Sequence, residues 1–220
     1  RPIGSLTQLG RIRLGPRTAL QNPAISELVP LAPLHALEFG AWDVIPDDAY
    51  AAALRAEVLS RQHLDLIKEE LQAIRPMPAA FFPEFVRRLN GTHTKPEKKR
   101  RALVDALRED IRRFKREKGV ARCVAIWCGS TEVHQEAGVS HASLAALERA
   151  IDADDATLSP SMLYAYACLK EGVPYANGAP NLSLDTRAIQ ELARTERVPI
   201  AGRDFKTGQT LLKTMIAPGL

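Results

Sequence analysis

The 220 residues are 45% hydrophobic and 25% charged, with a formal net charge of +4 and three cysteines. That balance supplies the core of one large α/β domain or two small ones and excludes a disordered chain. The mild basic excess suits a phosphorylated substrate or cofactor and does not by itself indicate nucleic acid.

No run approaches the ~18 apolar residues needed to cross a bilayer, and no signal-peptide pattern precedes the first domain-like segment, so no membrane association is expected. The chain begins at Arg1 rather than methionine, so its start is expected upstream, where a targeting segment could also stand. Cys123, Cys128 and Cys168 form an odd set without metal-ligand spacing. They argue for reduced thiols in the cytoplasm, against a disulfide scaffold and against a metal site.

In chain order, residues 1–34 are rich in Pro and Gly and read as irregular, with residues 28–34 packed. Leu37 to Val44, holding Phe39 and Trp42, reads as a short strand. Pro46, Asp47 and Asp48 open a helix on which Tyr50, Leu54 and Val58 recur at helical spacing. Ser60 caps a second helix whose Leu64, Ile67, Leu71 and Ile74 form a buried stripe, ended by Pro76 and Pro78. The basic stretch from Lys95 to Arg101 reads as the solvated start of a third helix, with no interleaved aromatics to stack nucleic-acid bases. That helix runs from about Glu97 to Lys118, with Leu103, Leu107, Ile111 and Phe114 inward, Glu109 pairing with Arg113, and Gly119 as terminator.

Beyond Gly119 the pattern becomes regular. Cys123 to Trp127 is a continuous apolar run, as in a strand buried on both faces. A helix follows from about His141 to Ile151, and Ser159-Pro160 starts another that Gly172 ends. Val173 to Ala176 reads as a strand, residues 186–195 as a helix and Val198 to Ala201 as a third strand. Strands alternating with helices predict an α/β fold, a parallel sheet with helices on both faces.

Ligands of such sheets bind outside the carboxyl ends of the strands. Three loops stand there: Cys128-Gly-Ser-Thr-Glu132, Asn177-Gly-Ala-Pro-Asn181, and the segment from Gly202 to Thr210. Each joins glycine to small hydroxyl or amide donors, which suits a nucleotide or sugar phosphate. Any one could be a tight turn; three in register point to a shared site. No G-x-G-x-x-G follows a strand, so the residues alone lead only to a nucleotide- or phosphosugar-binding α/β domain.

Several segments, in this order and spacing, resemble the inositol-3-phosphate synthase family. They are Leu37-Glu-Phe-Gly-Ala-Trp-Asp43, Ile74-Arg-Pro-Met-Pro78, Asp110-Ile-Arg-Arg-Phe-Lys115, Ser159-Pro-Ser-Met-Leu-Tyr-Ala165 and Glu171-Gly-Val-Pro-Tyr-Ala-Asn-Gly178. The most specific is Ile200-Ala-Gly-Arg-Asp-Phe-Lys-Thr-Gly-Gln-Thr210. The resemblance implies an internal piece of the enzyme: residues 1–210 as a Rossmann-like NAD-binding domain lacking its glycine-rich turn, incomplete at both ends, and residues 211–220 as the start of a catalytic and tetramerisation domain. It further implies NAD as a recycled cofactor and glucose 6-phosphate as substrate. Oxidation at C5 would acidify the C6 proton, an enolate would close onto the C1 aldehyde, and the stored hydride would return. A cytoplasmic homotetramer is expected, and this stretch alone is expected to be inactive. The alternatives are another NAD(P)-linked sugar-phosphate oxidoreductase and a nucleotide-binding relic without turnover.

Carried over by motif, Asp43 would bind the adenosine ribose, its other reading being a helix-capping carboxylate. Cys128, Gly129, Ser130 and Thr131 would lie along the NAD; only Thr131 is identical to the Thr-Ala-Asn-Thr typical of the family's eukaryotic members, so mainly backbone contacts are expected. Gly178 and Ala179 match a Gly-Ser pair in an NAD-contacting turn, and Ala179 would contribute its backbone amide. Asp204 matches the second acid of a Gly-Asp-Asp motif near nicotinamide and substrate, with Arg203 replacing the first. Thr207 keeps a cofactor-binding hydroxyl. Lys206 could be a proton or charge carrier or a solvated loop lysine, and Lys213 reads as structural. His134 and His141 read as surface histidines, and no histidine is placed to activate Cys128 as a nucleophile.

Overall fold

The computed structural model describes residues 10–15 and 21–204, and the chain divides into two compact units, Arg1–Phe39 and Gly40–Leu220. In the first, Arg11 and Ala24 form an antiparallel bridge, extended by Ile12 N–H donating to the Pro23 carbonyl at 3.0 Å. One turn of helix, α1 (Ile25–Leu28), follows. Leu28 and Val29 are exposed, not packed as expected.

The second unit holds two parallel sheets. β1 (Trp42–Asp43) pairs with β2 (Met77–Pro78), and a separate sheet has the order β3 (Ala125–Trp127), β4 (Tyr175–Asn177), β5 (Ile200–Gly202). The register sets Ala125 beside Tyr175 and Tyr175 beside Ile200, so the three strands end together at Trp127, Asn177 and Gly202. The last two sequence-read strands begin two residues and end one residue later than their apolar runs, because pairing register rather than hydrophobicity decides where a short strand begins.

Between β1 and β2 in the chain come α2 (Ala49–Ala56), α3 (Arg61–Asp65) and α4 (Lys68–Ala73), with α2 packed on the other two. Asp48 caps α2 by accepting from Ala51 N–H. That helix stops at Glu57, whose φ is 52°, so Val58 points to solvent instead of extending the Tyr50 stripe. The expected stripe from Leu64 to Ile74 is likewise interrupted. Ile67 sits at the break between α3 and α4 and is exposed, and only Leu64 is deeply buried.

α5 (Arg100–Lys118), α6 (Leu144–Asp152), α7 (Pro160–Lys170) and α8 (Arg187–Glu196) build the main core. Its centre is α7, buried from Pro160 to Leu169, and α5 packs on it through Leu103, Val104, Leu107 and Ile111. Each fully buried aliphatic side chain contributes about 1.5–3 kcal/mol. Pro160 fits the first turn of α7, where its missing N–H is no loss, and Gly119 ends α5 at φ 63°. Ala125, Trp127 and Ile200 pack against this core. Val124 and Ile126, which point the other way, are 67% and 57% exposed, so among the described residues β3 is covered on one face only.

The basic start of α5 is solvated only in part: Lys98 and Lys99 are exposed, whereas Lys95 and Arg100 are buried. Lys95 is buried and pairs with Asp110 at 2.5 Å, and Asp110 also accepts from the Trp42 indole N–H at 2.8 Å and pairs with Arg113 at 2.7 Å. Arg100 is 5% exposed, pairs with Asp154 at 3.1 Å and lies over the Phe82 ring. Glu109 pairs with Arg116, one helical turn further than expected, because Arg113 is taken by Asp110.

Candidate cofactor site

Residues of β1 and β3 and of the loops that follow them line one cavity of about 680 Å³. Its amino-end lining is apolar, with Ile111, Phe114 and Cys168, whereas Asp43, Ser130 and Glu132 stand at the carboxyl end. Tyr164 forms the floor: the Trp42 and Trp127 rings lie 5.2 and 5.4 Å from its ring. Burial raises the pKa of the Tyr164 phenol well above its usual value and pushes that of the Cys168 thiol up to about 12, so both stay neutral.

Asp43 is exposed at the end of β1, and its Oδ1 accepts from Ile45 N–H at 2.9 Å. It caps its own turn; the carboxylate that caps α2 is Asp48. After β3, Cys128, Gly129, Ser130 and Thr131 are all exposed. Gly129 is sterically required, since a Cβ there would lie 2.9 Å from the Trp127 ring. Cys128 is a free thiol, and its loop turns directly into buried Glu132.

The turn after β4 departs from expectation. Gly178 N–H donates to the Trp127 carbonyl at 2.9 Å, and Ala179 N–H donates to Asn177 Oδ1 at 3.0 Å. Both amides are therefore spent within the protein, Ala179 is 5% exposed, and neither residue lines the cavity. Ala179 supports the turn instead of offering its amide to a ligand. Asn177, itself buried, organises it by also donating from Nδ2 to the Asn181 carbonyl and Ser183 Oγ, each at 3.3 Å.

After β5, Gly202 has φ 97°, and a Cβ would lie 2.3 Å from the Asn177 carbonyl oxygen, so only glycine lets β5 end this close to β4. Arg203 turns away to a two-oxygen pairing with Asp185 at 3.1 and 2.9 Å, so its charge is engaged there. Asp204 is exposed and left-handed, φ 56°, a conformation aspartate tolerates better than most residues. Lys206, Thr207 and Lys213 lie outside the described residues.

Of the histidines after β3, His134 is exposed as expected but His141 is not. It is 3% exposed, its Nδ1 accepts from Gly138 N–H at 2.9 Å, and burial lowers its pKa below the ordinary value. Among the described residues no group of His, Cys, Asp and Glu could hold a metal ion.

Residues 2–218 match the family model described as myo-inositol-1-phosphate synthase. The chain belongs to the myo-inositol-1-phosphate synthase family. It is 48% identical to inositol-3-phosphate synthase 1 of Bacteroides thetaiotaomicron over 219 residues, 99% of this chain and 50% of that protein. Identity to inositol-3-phosphate synthase 1 of Oryza sativa subsp. japonica is 33%, over 97% of this chain and 43% of the relative. The crystal structure of inositol-3-phosphate synthase from Caenorhabditis elegans superposes with a TM-score of 0.88 at 26% identity, covering 99% of this chain and 45% of that one. The chain thus spans about half the length of the curated relatives it matches.

The matched family model is an NAD-binding domain, and NAD is the cofactor against which the cavity is to be judged. The donor set suits it. The buried indole Nε1 of Trp127, in the cavity wall, has no acceptor among the described residues. An exposed carboxylate at Asp43 and the Ser130 hydroxyl line the same cavity, with the exposed Thr131 next in the chain. A ribose needs such acceptors and a pyrophosphate such donors. Glu132 and Asn177 were not singled out by the sequence, because their partners are fixed by tertiary packing; the available signal was an acid directly after a loop at a strand's carboxyl end.

Proposed function

We propose that this chain supplies the NAD-holding part of an inositol-3-phosphate synthase, which isomerises glucose 6-phosphate to inositol phosphate without net oxidation. The observation that carries this is the convergence of Asp43 with Cys128, Gly129 and Ser130 on one cavity, at or just beyond the ends of β1 and β3. NAD, when bound, would accept a hydride from the substrate and return it later. Asp43 would hold the adenosine ribose hydroxyls. Cys128, Gly129, Ser130 and Thr131 would line the dinucleotide, with Gly178 and Ala179 fixing the neighbouring turn. Asp204, beyond β5, would orient the nicotinamide or a lysine ammonium close to the substrate, with Thr207 beside the cofactor and Lys206 as a charge or proton carrier.

Residues 1–210 then belong to a Rossmann-like domain, and residues 211–220 lead into a catalytic and tetramer-forming domain supplied by further sequence. Two open strand edges support this. β1 and β3 are edge strands among the described residues and border the same cavity. The cytoplasm is the compartment that suits its free thiols.

The test is to incubate the full-length protein with NAD and glucose 6-phosphate and follow both inositol phosphate and NADH. Inositol phosphate formed without accumulating NADH is expected. Stoichiometric NADH would mark an ordinary dehydrogenase and overturn the proposal, as would absence of turnover in a folded, NAD-bound protein.

A further inference from the structure

Resting on the cofactor assignment above, we propose that Glu132 is a positioning residue for NAD. Its side chain fixes the Cys128–Thr131 loop to the start of α7, and its backbone links that loop to the turn after β4. Glu132 touches no part of the cofactor in this role and acts through the residues it holds.

Glu132 is 7% exposed, a rare position for a carboxylate, and both oxygens are engaged within the protein. Oε1 accepts from Ser161 N–H at 2.8 Å and Oε2 from Ser161 Oγ at 2.5 Å. Ser161 is fully buried in the first turn of α7, and its Oγ lies 3.0 Å from that of Ser159. The carboxylate therefore sits where the helix presents unsatisfied N–H groups and its positive end. Burial raises the pKa of Glu132, and the serine hydrogen bonds oppose that rise.

The backbone supplies the second link. Glu132 N–H donates to Asn181 Oδ1 at 3.1 Å, and the Asn181 carbonyl accepts from Asn177 Nδ2 at 3.3 Å. Asn177 Oδ1 in turn holds Ala179 N–H. One connected series of hydrogen bonds thus runs from the start of α7, beneath the loop after β3, into the turn after β4. On the far side Val133 N–H donates to the Phe85 carbonyl at 2.8 Å, so the loop is pinned immediately after its ligand-facing residues. A helix cap alone would require only the side-chain half of this arrangement. The loop it terminates is exposed and glycine-containing, with little else to hold its shape.

The test uses full-length protein carrying Glu132→Gln, Glu132→Asp, Glu132→Ala or Ser161→Ala, with the NAD dissociation constant measured by titration calorimetry alongside the melting temperature. Gln keeps the length and can accept from Ser161 N–H while donating to Ser161 Oγ, so its NAD affinity should stay within about threefold of the parent. Asp is too short to reach both groups and, like Ser161→Ala, should weaken NAD binding by about 10-fold or more, with the KM for NAD rising more than kcat falls. Variants that melt earlier yet bind NAD as the parent does would reduce Glu132 to a helix cap and overturn the proposal. Should Glu132→Ala fail to fold, the Asp and Ser161→Ala variants decide in the same way. A parent protein that binds no NAD would instead defeat the cofactor assignment itself.

Discussion

A Cβ placed on Gly202 would lie 2.3 Å from the carbonyl oxygen of Asn177. The end of β5 and the end of β4 are thus in contact through a position that admits no side chain, and Asn177 is the residue that organises the neighbouring turn. Gly202→Ala meets both this clash and a φ of 97°. It should cost about 2–4 kcal/mol, read as a lower urea midpoint at unchanged slope in the full-length protein. A loss below about 0.5 kcal/mol would mean that the two strand ends separate easily.

Asp204→Asn keeps the side-chain shape and the tolerance of a left-handed backbone while removing the charge. Turnover of the full-length protein should fall by about 100-fold or more, equivalent to about 3 kcal/mol of transition-state stabilisation. The melting temperature should hardly move, because Asp204 is exposed. Near-normal turnover would make it a loop-shaping residue.

The Lys95–Asp110 pair is nearly buried on both sides, at 7% and 6% side-chain exposure. Asp110→Asn can still accept from the Trp42 indole but strands the Lys95 ammonium in the interior, and should destabilise by about 3–5 kcal/mol. Adding Lys95→Met to that variant should recover part of the loss. Equal unfolding midpoints for the single and double variants in guanidinium would show that the ammonium finds water or another partner.

His141 gives a pH dependence. Its pKa is lowered in the folded protein, chiefly by burial, so the unfolded chain binds the extra proton more readily. The stability associated with neutral His141 is present above its ordinary pKa of about 6.5 and is lost as pH falls through that region toward the lowered folded value. His141→Asn, which can still accept from Gly138 N–H, should flatten the decline in melting temperature between about pH 7 and pH 5. An unchanged profile would assign the decline to other groups.

Much of the fold was legible because it is written locally. Ser159-Pro160, Gly119 and the 3.6-residue stripe of Leu103, Leu107 and Ile111 each act within a turn or two, and each stands where expected. What was hidden depends on partners distant in sequence. Lys95 and Arg100 look like solvent charges until Asp110 and Asp154 are brought beside them. Ile67 belonged to a helical period, yet the helix breaks there. In the site, the position of Asp43, Cys128, Gly129 and Ser130 beside the cavity follows from their place at or just after strand ends. Ala179 gives its amide to Asn177 two residues before it, whereas the spent amide of Gly178 could not be read this way, because Trp127 claims it only once β3 and β4 pair. Glu132 was hidden for the same reason, with Ser161 29 residues away.

The open side of β3 also governs how residues 1–220 would behave if produced alone. Val124 and Ile126 present β-branched side chains to water, beside a backbone edge that no described strand pairs. The run Cys123-Val-Ala-Ile-Trp127 has no charge, proline or glycine to blunt it. Such an edge is a template for strands of other molecules. Self-association, inclusion-body formation and loss of monomer on concentration are the physical tendencies of this surface, and an Ile126→Lys change is the conservative way to suppress them while leaving the inward face of β3 untouched.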